Sequence, residues 1–434
     1  MKVSHDQFSR RLESELGAHA LTGDAGLLAS HAVDGKRPAF FCSPGTPEEV
    51  AAALRLCSEN EAAVTPWGGG TATVVGNPPR RLDVVIGLTR LDSLMEHDDA
   101  NLTATVGAGM SLTRLQEIVA RRKQFLPFDA PSPIRATVGG TIAANLNGPR
   151  RSFYGSVRDL VIGMKVILAS GEQIKAGGKV VKNVAGYDMC KLFVGSLGTL
   201  GIITEATLRM APLPEAAATI IASGTLDQMA QFVEALSRAL LLPAAVFVVN
   251  RETHLAAALP GDWQVALWCE GFEGSLARHL RDALAMAEQA GLNAEILRDI
   301  AHRELWEKIR DFPLQSYPII YRVTVPRASV ADVVKIVSHW KTTGFHPAII
   351  SDTAMGTLWI ASAASQTSAE QFSKLIALAQ ERRGHAIVLA APPAFKEGVD
   401  IWGSRGLSFS LMGEIKRQFD PKGILNPGRF AAGI

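Results

Sequence analysis

Between about residues 40 and 214 the chain alternates apolar runs of strand length with short helical segments and many glycine-rich turns. Runs of this length and pattern, bounded by turn residues, are typical of β-strands. The runs read LDVVIGL, NLTATVGAG, VIGMKVILAS and GIITEATLRM. Thr46, Pro47 and Glu49 form a capping-box pattern, which predicts a helix start. The segment therefore predicts an α+β domain with much irregular backbone.

After the break at APLPEA, from Ala211 to Ala216, glycine becomes rarer and the amphipathic segments lengthen. The helix-like DQMAQFVEALSRALL lies between the strand-like runs AAVFVVN and WQVALWCE. This pattern predicts a second α+β domain, residues 215–393, with helices packed on an antiparallel sheet. Residues 1–39 form a predicted N-terminal helical segment, and we expect the turn-rich tail, residues 394–434, to return to the first domain, residues 40–214.

Composition and charge describe an ordinary globular protein. The 434 residues are 47% hydrophobic and 20% charged, which suits two to three domains. The net charge of +2 comes from 44 basic and 42 acidic residues spread along the chain. Without a basic block, and with few aromatic residues to stack on bases, nucleic acid is not an expected partner.

The beginning of the chain, MKVSHDQFSRRLESELG, lacks the apolar core of a secretion signal. No later window approaches the ~18 apolar residues of a membrane span. We therefore expect a cytoplasmic protein without a membrane span of its own, and peripheral attachment at the inner membrane through partners is the alternative. Four cysteines, Cys42, Cys57, Cys190 and Cys269, are far apart, so no zinc or iron–sulfur site is predicted and buried thiols are expected.

The stretch VTPWGGGTATVVGNP, from Val64 to Pro78, places three glycines between an apolar run and a Pro-containing turn. It lacks the Gly-Lys-Ser/Thr ending with which a P-loop binds a terminal phosphate and magnesium. Its donors are neutral: backbone N–H groups around Gly68–Gly70 and the Thr71 hydroxyl. Such a nest suits a pyrophosphate that is held and not cleaved, although a surface turn would look the same.

A second glycine pattern, TATVGAGMSLTRLQEIVARR, imitates a dinucleotide-binding βαβ unit. The third glycine position is occupied by Leu112, and Asp129, at the distance of the ribose-binding acid, follows a poor candidate for a parallel strand. A nicotinamide-binding Rossmann fold is therefore not expected.

Two further stretches are rich in small residues: residues 130–161, APSPIRATVGGTIAANLNGPRRSFYGSVRDLV, and residues 182–210, KNVAGYDMCKLFVGSLGTLGIITEATLRM. Small residues let the backbone lie flat against a large planar ligand. Three such surfaces in one domain predict a single long ligand.

The motifs PWGGGT, ATVGGTIAAN, YGSVRDLV, GYDMCKLFVGSLGTLGIITEATL and FDPKGILNPGRF resemble, in this order, those of the FAD-linked oxidases of the vanillyl-alcohol oxidase type. The resemblance implies a two-lobed PCMH-type FAD-binding domain, a cap domain with an antiparallel sheet and helices, and FAD as cofactor. It implies that the pyrophosphate is bound by Pro66, Gly68, Gly69, Gly70 and Thr71. The residues implied along the rest of FAD are Pro131, Thr137, Gly139, Gly140, Thr141, Ala143, Asn145, Tyr154, Gly155, Asp159, Gly198, Gly201, Ile202, Ile203 and Asn426.

Within this family, the stretches HRELWEKIRDF, IIYRVTVP and GVDIWG resemble the FAD-binding subunit of glycolate oxidases. This resemblance implies oxidation of a 2-hydroxy acid, glycolate or alternatively D-lactate, with hydride transfer to flavin N5. It also implies two partners, a paralogous FAD subunit and an iron–sulfur subunit that receives the electrons.

Related dehydrogenases carry His-rich and Glu-His metal motifs in the second domain, and none occurs among the ten histidines of this chain. No metal site is therefore expected, and the residue that removes the hydroxyl proton cannot be assigned. Two alternatives stay open: a self-sufficient FAD-dependent 2-hydroxy-acid or alcohol dehydrogenase, and a non-catalytic FAD-holding subunit that relays electrons.

A hydroxy-acid substrate needs a cation for its carboxylate, and two arginines are candidates. In IIYRVTVP, alternation places Tyr321 and Val323 on one face and Arg322 and Thr324 on the other, which favours Arg322. Arg310 is the competitor, because relatives place an arginine just after a Leu-Trp pair, although its spacing here is one residue longer.

FAD is expected to be bound without a covalent bond. Relatives that tether the flavin use a His or Cys near the glycine loop or in the second motif. Between His31 and His254 the only histidine is His97, and Cys190 belongs to a predicted core helix.

Overall fold

The computed structural model describes residues 5–17, 21–178, 188–255, 261–314, 317–340, 346–403, 406 and 408–434. The N-terminal part of the chain forms a small sheet flanked by helices. Its strands are β1 (Leu21–Thr22), β2 (Phe40–Cys42), β3 (Val64–Trp67) and β4 (Val84–Gly87), and its helices are α1 (His5–Leu16), α2 (Ala25–Ser30) and α3 (Pro47–Asn60). The strand order is β1-β2-β4-β3, with β2 and β3 both parallel to β4. Helix α3 crosses between the parallel strands and buries its apolar face against the sheet.

Helix α3 begins at the predicted residue with a modified cap. The Thr46 side chain accepts a hydrogen bond from the Glu49 N–H, as expected. The Glu49 carboxylate, however, accepts from the N–H of Gly45 rather than from that of Thr46. The reciprocal half of the predicted capping box is therefore displaced by one residue.

A second, antiparallel sheet completes the first domain. Its strands are β5 (Leu94–Asp98), β6 (Thr103–Gly107), β8 (Val161–Ile167), β9 (Gln173–Gly177) and β10 (Ile202–Arg209), in the order β5-β6-β10-β8-β9, and β7 (Gln124–Phe125) pairs separately with β11 (Ala211–Pro212). The helices of this part are α4 (Leu112–Ala120), α5 (Val138–Ala144), α6 (Arg151–Tyr154), α7 (Val157–Leu160) and α8 (Cys190–Phe193). Both neighbours of β6 run antiparallel to it, so the Rossmann-like glycines do not belong to a parallel βαβ unit.

The second domain is built on a sheet of eight described strands with helices packed on it. The strands are β12 (Ala216–Gly224), β13 (Ala245–Asn250), β14 (Trp263–Gly271), β15 (Asn293–Leu297), β16 (Ile319–Thr324), β17 (Ala348–Asp352), β18 (Thr357–Ser362) and β19 (His385–Ala390). Their order is β15-β12-β14-β13-β17-β18-β16-β19, and every described pair is antiparallel. The helices are α9 (Leu226–Arg238), α10 (Glu273–Gln289), α11 (Asp299–Asp311), α12 (Val330–Ser338) and α13 (Ser368–Glu381). The predicted α+β class and the antiparallel cap sheet are confirmed.

The C-terminal segment contains α14 (Pro393–Glu397) and α15 (Phe409–Phe419) and then runs beside β3. The Val64 N–H donates to the Ile424 carbonyl at 2.7 Å, and the Asn426 N–H donates to the Val64 carbonyl at 2.8 Å. The last residues therefore lie against the strand that leads into the glycine loop.

Candidate functional site

The glycine loop after β3 presents a row of free backbone donors. The N–H groups of Gly68, Gly69, Gly70 and Thr71 donate to no residue in the part of the chain that the structure describes. Arg135 holds the loop from behind by donating to the Gly69 carbonyl at 3.0 Å. Consecutive free N–H groups form a concave donor surface, so the loop is built to bind an anion.

The reason for glycine in this loop is packing as well as access. A Cβ added at Gly69 would lie 1.6 Å from the Arg135 carbonyl oxygen, and one at Gly68 would lie 2.2 Å from the Thr137 hydroxyl. Gly70 has a φ of +70°, a conformation that favours glycine. The glycines thus let the loop press against residues 135–137, while its N–H groups have no partner among the described residues.

A cavity extends from this loop and collects most of the predicted cofactor residues. Its predicted members are Pro66, Gly68, Gly69, Gly70, Thr71, Thr137, Gly139, Gly140, Ala143, Gly198, Gly201, Ile202, Ile203 and Asn426. Apart from threonine hydroxyls, Trp67, Asn426 and one arginine, the lining is apolar, and glycine and alanine make up much of it. A cavity with an anion-binding loop fits FAD, and the N–H groups of Gly68–Thr71 are donors of the kind that a pyrophosphate requires.

Helix α5 supplies one wall of the cavity with residues that have almost no side chain. Thr137 caps the helix by accepting a hydrogen bond from the Gly140 N–H at 3.2 Å. Gly139 packs so closely that an added Cβ would lie 2.7 Å from the Cβ of Ala108. Thr141 is buried outside the lining, and its hydroxyl has no partner in the described part of the chain.

Asn426 joins three segments at the cavity. Its Oδ1 accepts from the Thr65 hydroxyl at 2.8 Å, and its Nδ2 donates to the Leu197 carbonyl at 2.6 Å. The tail thereby aligns β3 with the turn that contains Gly198.

Arg429, which the sequence reasoning missed, is the arginine of the lining and is 4% exposed. Its guanidinium donates to Asp34 at 2.9 Å and to the carbonyls of Thr73, Val75 and Asn77. It therefore holds the chain that follows the glycine loop. Its position in the turn motif NPGRF was the available signal. The other lining residues that were not predicted are Val33, Thr65, Trp67, Ala72, Thr73, Val75, Leu88, Ala108, Ala144 and Leu197.

The remaining predicted cofactor residues lie outside this cavity. The Tyr154 hydroxyl donates to Glu270 of the second domain, and the Asp159 carboxylate accepts from the N–H and hydroxyl of Ser156 at 2.9 and 2.6 Å. Gly155, with a φ of +95°, ends helix α6 beside Asp159. Pro131 and Asn145 line a neighbouring cavity.

This second cavity, of about 300 Å³, lies between the two domains. It adjoins the first cavity at the end of α5, where Ala143 and Ala144 line one cavity and Asn145 and Leu146 line the other. Its charged and titratable lining residues are Arg151, Arg322, Asp352 and His385. A ligand in this cavity would therefore lie next to the cofactor cavity.

Arg322 and Arg151 bring two positive charges into the second cavity. The Nε atoms of both are buried without a hydrogen-bond partner, and neither side chain forms an ion pair with any described residue. Burial, together with the charge of Arg151, lowers the pKa of Arg322 to about 10, so it stays protonated at neutral pH. Two uncompensated guanidiniums favour an anionic ligand.

Arg310, the competing candidate, occupies a different place. Its guanidinium makes two hydrogen bonds of 2.9 Å to Asp311 and lines a separate cavity of about 200 Å³ with Arg150 and His302. The structure therefore brings Arg322, and not Arg310, into the cavity next to the glycine-lined one.

Two further features concern the protein as a whole. Among the described residues, no three His, Cys, Asp or Glu side chains are placed to hold a metal ion. Within the same residues, no helix combines the length and apolarity required to cross a membrane.

Comparison with known proteins agrees with the geometry of the cavity. Residues 38–177 match the family described as FAD binding domain, and residues 404–430 match FAD linked oxidases, C-terminal domain. The chain is 31% identical to the glycolate oxidase subunit GlcD of Bacillus subtilis, with 91% of this chain and 89% of that protein covered. It is 29% identical to the glycolate oxidase subunit GlcE of Escherichia coli, with 78% of this chain and 85% of that protein covered.

The fold is also that of a solved structure of p-cresol methylhydroxylase, with a TM-score of 0.76 and 16% identity over 98% of this chain and 96% of that one. Motif order, family matches and full-length similarity therefore agree with the two cavities described above. The chain belongs to the FAD-linked oxidases, has a fold of the vanillyl-alcohol oxidase type, and is an FAD-dependent oxidoreductase.

Proposed function

We propose that this protein oxidises a small 2-hydroxy acid, such as glycolate to glyoxylate, in the cavity between its two domains. The observation that carries the proposal is the pair of guanidiniums without ion-pair partners, Arg322 and Arg151, in the second cavity. We call this second cavity the substrate cavity, and the glycine-lined cavity that it adjoins the FAD cavity. A 2-hydroxy acid has a carboxylate for these cations and, one carbon away, the C–H bond to be oxidised. FAD bound in the adjoining cavity would accept the hydride at N5.

The residues of the chain would bind, orient and shield the substrate. A guanidinium binds a carboxylate through paired N–H donors, which restricts the rotation of the acid. The walls of the substrate cavity include Trp359, Leu146 and Pro313, which reduce the access of water around the reacting carbon. Arg322 would thus fix the position of the substrate relative to the wall formed by α5.

We further infer that the protein acts as the FAD-binding subunit of a glycolate oxidase complex. The similarity to two glycolate oxidase subunits supports this assignment. The sequence offers no cysteine cluster, so electrons from reduced FAD would leave through a separate iron–sulfur subunit, with a paralogous FAD subunit as second partner. A self-sufficient dehydrogenase is the second candidate, because both cavities lie within a single chain.

Anaerobic mixing of the purified chain with glycolate or D-lactate tests these assignments through the flavin absorbance band. Bleaching by the chain alone would support the self-sufficient enzyme. Bleaching that needs the added partner subunits would support the complex. The flavin of this chain could instead be reduced only by the partner subunits and never directly by the substrate. That result would contradict substrate oxidation in this chain and leave electron relay as its role.

The flavin itself is expected to be held without a covalent bond. No His or Cys side chain is among the described residues that line the FAD cavity, and the thiols of Cys42, Cys57, Cys190 and Cys269 are buried. Acid precipitation should release all flavin into the supernatant. Colour retained on the precipitated protein would contradict this prediction.

A further inference from the structure

A row of polar residues crosses four neighbouring strands of the cap sheet. The register pairs Asp352 of β17 with Thr357 of β18, Thr357 with Thr324 of β16, and Thr324 with His385 of β19. Residues directly opposite each other in a sheet point to the same face. All four line the second cavity, so the row forms its floor.

Arg322 belongs to the same face because it lies two residues before Thr324. The opposite face, which carries Tyr321 and Val323, is packed in the core. Arg322 is level with Trp359 of β18 and Ile350 of β17, so Asp352 lies two strand spacings and two residues away from it, roughly 12 Å between their backbones. An arginine side chain, a small hydroxy acid and an aspartate side chain together can span that separation.

Asp352 is a buried carboxylate with one oxygen uncommitted. The residue is 3% exposed, and its Oδ1 accepts from the N–H groups of Ala354 and Met355, both at 3.1 Å. Its Oδ2 has no hydrogen-bond partner, and the carboxylate no ion pair, among the described residues. The Oδ1 contacts fix the orientation of the carboxylate and leave Oδ2 for a ligand.

The surroundings of Asp352 adjust its proton affinity. Burial raises the pKa of Asp352 to about 7, against the opposing effects of the two N–H groups and of Arg151 and Arg327. The other titratable or charged groups lining the cavity are Arg322 and His385. A base is most effective when its pKa lies near the working pH.

We propose that Asp352 accepts the hydroxyl proton of the substrate through Oδ2. This inference rests on the proposed function. As the O–H proton moves to Asp352, the C–O bond becomes C=O, and bound FAD would supply the acceptor for the α-hydrogen and both electrons of its C–H bond. The substrate loses one proton and one hydride, and the product is the 2-oxo acid.

His385 is the competing base at the other end of the row. Partial burial of its ring at the cavity, together with the charge of Arg322, lowers its pKa below the usual value. The two candidates therefore predict different pH profiles. Proton transfer to Asp352 requires flavin reduction to rise with pH to a plateau above about pH 7, whereas transfer to His385 places the midpoint below the ordinary histidine value.

The test compares the wild-type holoenzyme with Asp352→Asn, an isosteric change that retains an acceptor for the Ala354 and Met355 N–H groups. Ser351→Ala is the matched control, because Ser351 is adjacent in β17 but lines a different cavity. The measurements are FAD content, glyoxylate binding seen as a perturbed flavin spectrum, and the anaerobic rate of flavin reduction against pH. If partner subunits are required, all variants are measured in the reconstituted complex.

Asp352→Asn should keep FAD and bind glyoxylate like the wild type, with flavin reduction slowed about 10²–10⁴-fold and no longer rising with pH. Ser351→Ala should behave as the wild type in every measurement. If Asp352→Asn fails to fold, the pH dependence of flavin reduction in the wild type decides between the two bases. A midpoint of that curve well below the ordinary histidine value of 6.5 overturns the proposal.

The proposal and the proposed function can fail separately. A wild-type rate and pH profile in Asp352→Asn would overturn the role of Asp352 alone. The same conclusion would follow if a further variant, His385→Asn, lost the pH-dependent rise in the rate of flavin reduction and Asp352→Asn kept it. A wild-type flavin that no 2-hydroxy acid reduces, with or without partners, would overturn the proposed function and this inference with it.

Discussion

Arg150 and Arg151 are adjacent in the chain and have opposite environments. Arg150 is 9% exposed and is paired with Asp129 and Glu270, whereas Arg151 reaches the substrate cavity without an ion-pair partner among the described residues. A paired guanidinium stabilises the fold, while an unpaired one remains available to a ligand. At the scale of single residues, pairing therefore separates structural arginines from those that are available to a ligand.

Arg322→Lys should raise the half-saturating glycolate concentration about 10-fold or more, because lysine lacks the planar paired donors of arginine. FAD content should stay at the wild-type level, since Arg322 lies outside the FAD cavity. Steady-state kinetics of the active form measures the half-saturating concentration, and the flavin absorbance of the purified protein measures the FAD content. Arg310→Lys is the matched control, because Arg310 is paired with Asp311 in another cavity. Wild-type behaviour of both variants would show that the substrate binds in another subunit.

Gly69→Ala should abolish FAD binding, since its Cβ would lie 1.6 Å from the Arg135 carbonyl oxygen and would push the loop out of position. Gly69→Asp should have the same effect and add repulsion of the pyrophosphate. Flavin content of the purified proteins gives the measurement. Gly274→Ala, in α10 with no atom within 4 Å of the added Cβ, should retain FAD. Normal flavin content in Gly69→Ala would mean that the loop is merely a turn.

Among the elements, the C-terminal tail has the greatest effect on the shape of the FAD cavity. Lys416 of α15 donates to the carbonyls of Thr199 and Leu425, both at 2.8 Å, and to Asp420 at 2.6 Å. The Asp420 carboxylate also accepts from the N–H groups of Ile424 and Leu425. This network sets the position of the tail beside β3.

Asp420→Ala should lower the free energy of unfolding by about 3–5 kcal/mol, because it leaves the buried Lys416 charge without its carboxylate. It should also reduce FAD affinity, since Asn426 follows the displaced segment. Urea unfolding and flavin titration measure the two effects. Lys422→Ala, whose exposed ammonium donates to the Ser58 carbonyl, should change stability by no more than about 0.5 kcal/mol. Equal stability of the two variants would contradict this role for Asp420.

For the whole molecule, the contact between the domains determines whether the substrate and FAD cavities stay together. Arg150 is central to that contact: it pairs with Asp129 of the first domain and Glu270 of the cap, and its guanidinium lies 4.5 Å from the ring centres of both Phe125 and Trp268. Its pKa is raised by these carboxylates despite burial. Arg150 is thus charged and fully engaged.

Arg150→Met should destabilise the protein by about 3–5 kcal/mol, because two carboxylates would be left without their cation. Loosening between the domains should also increase protease cleavage of the connecting chain. Denaturant unfolding and limited proteolysis check the two effects. Arg238→Ala, which breaks an exposed pair with Glu234, is the control and should cost about 0–1 kcal/mol. A wild-type cleavage pattern in Arg150→Met would argue against an inter-domain role.

Local sequence patterns were sufficient to predict the strands named in the sequence analysis, the glycine loop and the ordered motifs that indicate FAD. Strand alternation is a short-range property, so IIYRVTVP already separated Arg322 from the buried Tyr321 and Val323. The run of glycines in the loop is local as well, whereas the segment it presses against, at Arg135 and Thr137, is distant in the chain and is brought to the loop by the fold. Strand alternation and the glycine motif therefore depend on residues close together in the chain, and the packing of the loop does not.

The environments of Tyr154, Arg151 and Asp352 were decided by the tertiary structure. The motif that contains Tyr154 is local, but its partner Glu270 lies 116 residues away in the cap domain. Arg151 and Asp352 meet because the cap sheet covers the end of α5, a contact that no periodicity encodes. By itself, the amino-acid sequence indicated strands and helices through local periodicity, and it indicated the cofactor and the family through ordered short motifs that resemble those of a known family. Only the packing of the two domains decided which charged groups are paired and which face the substrate cavity, because burial and charge compensation depend on contacts between distant segments.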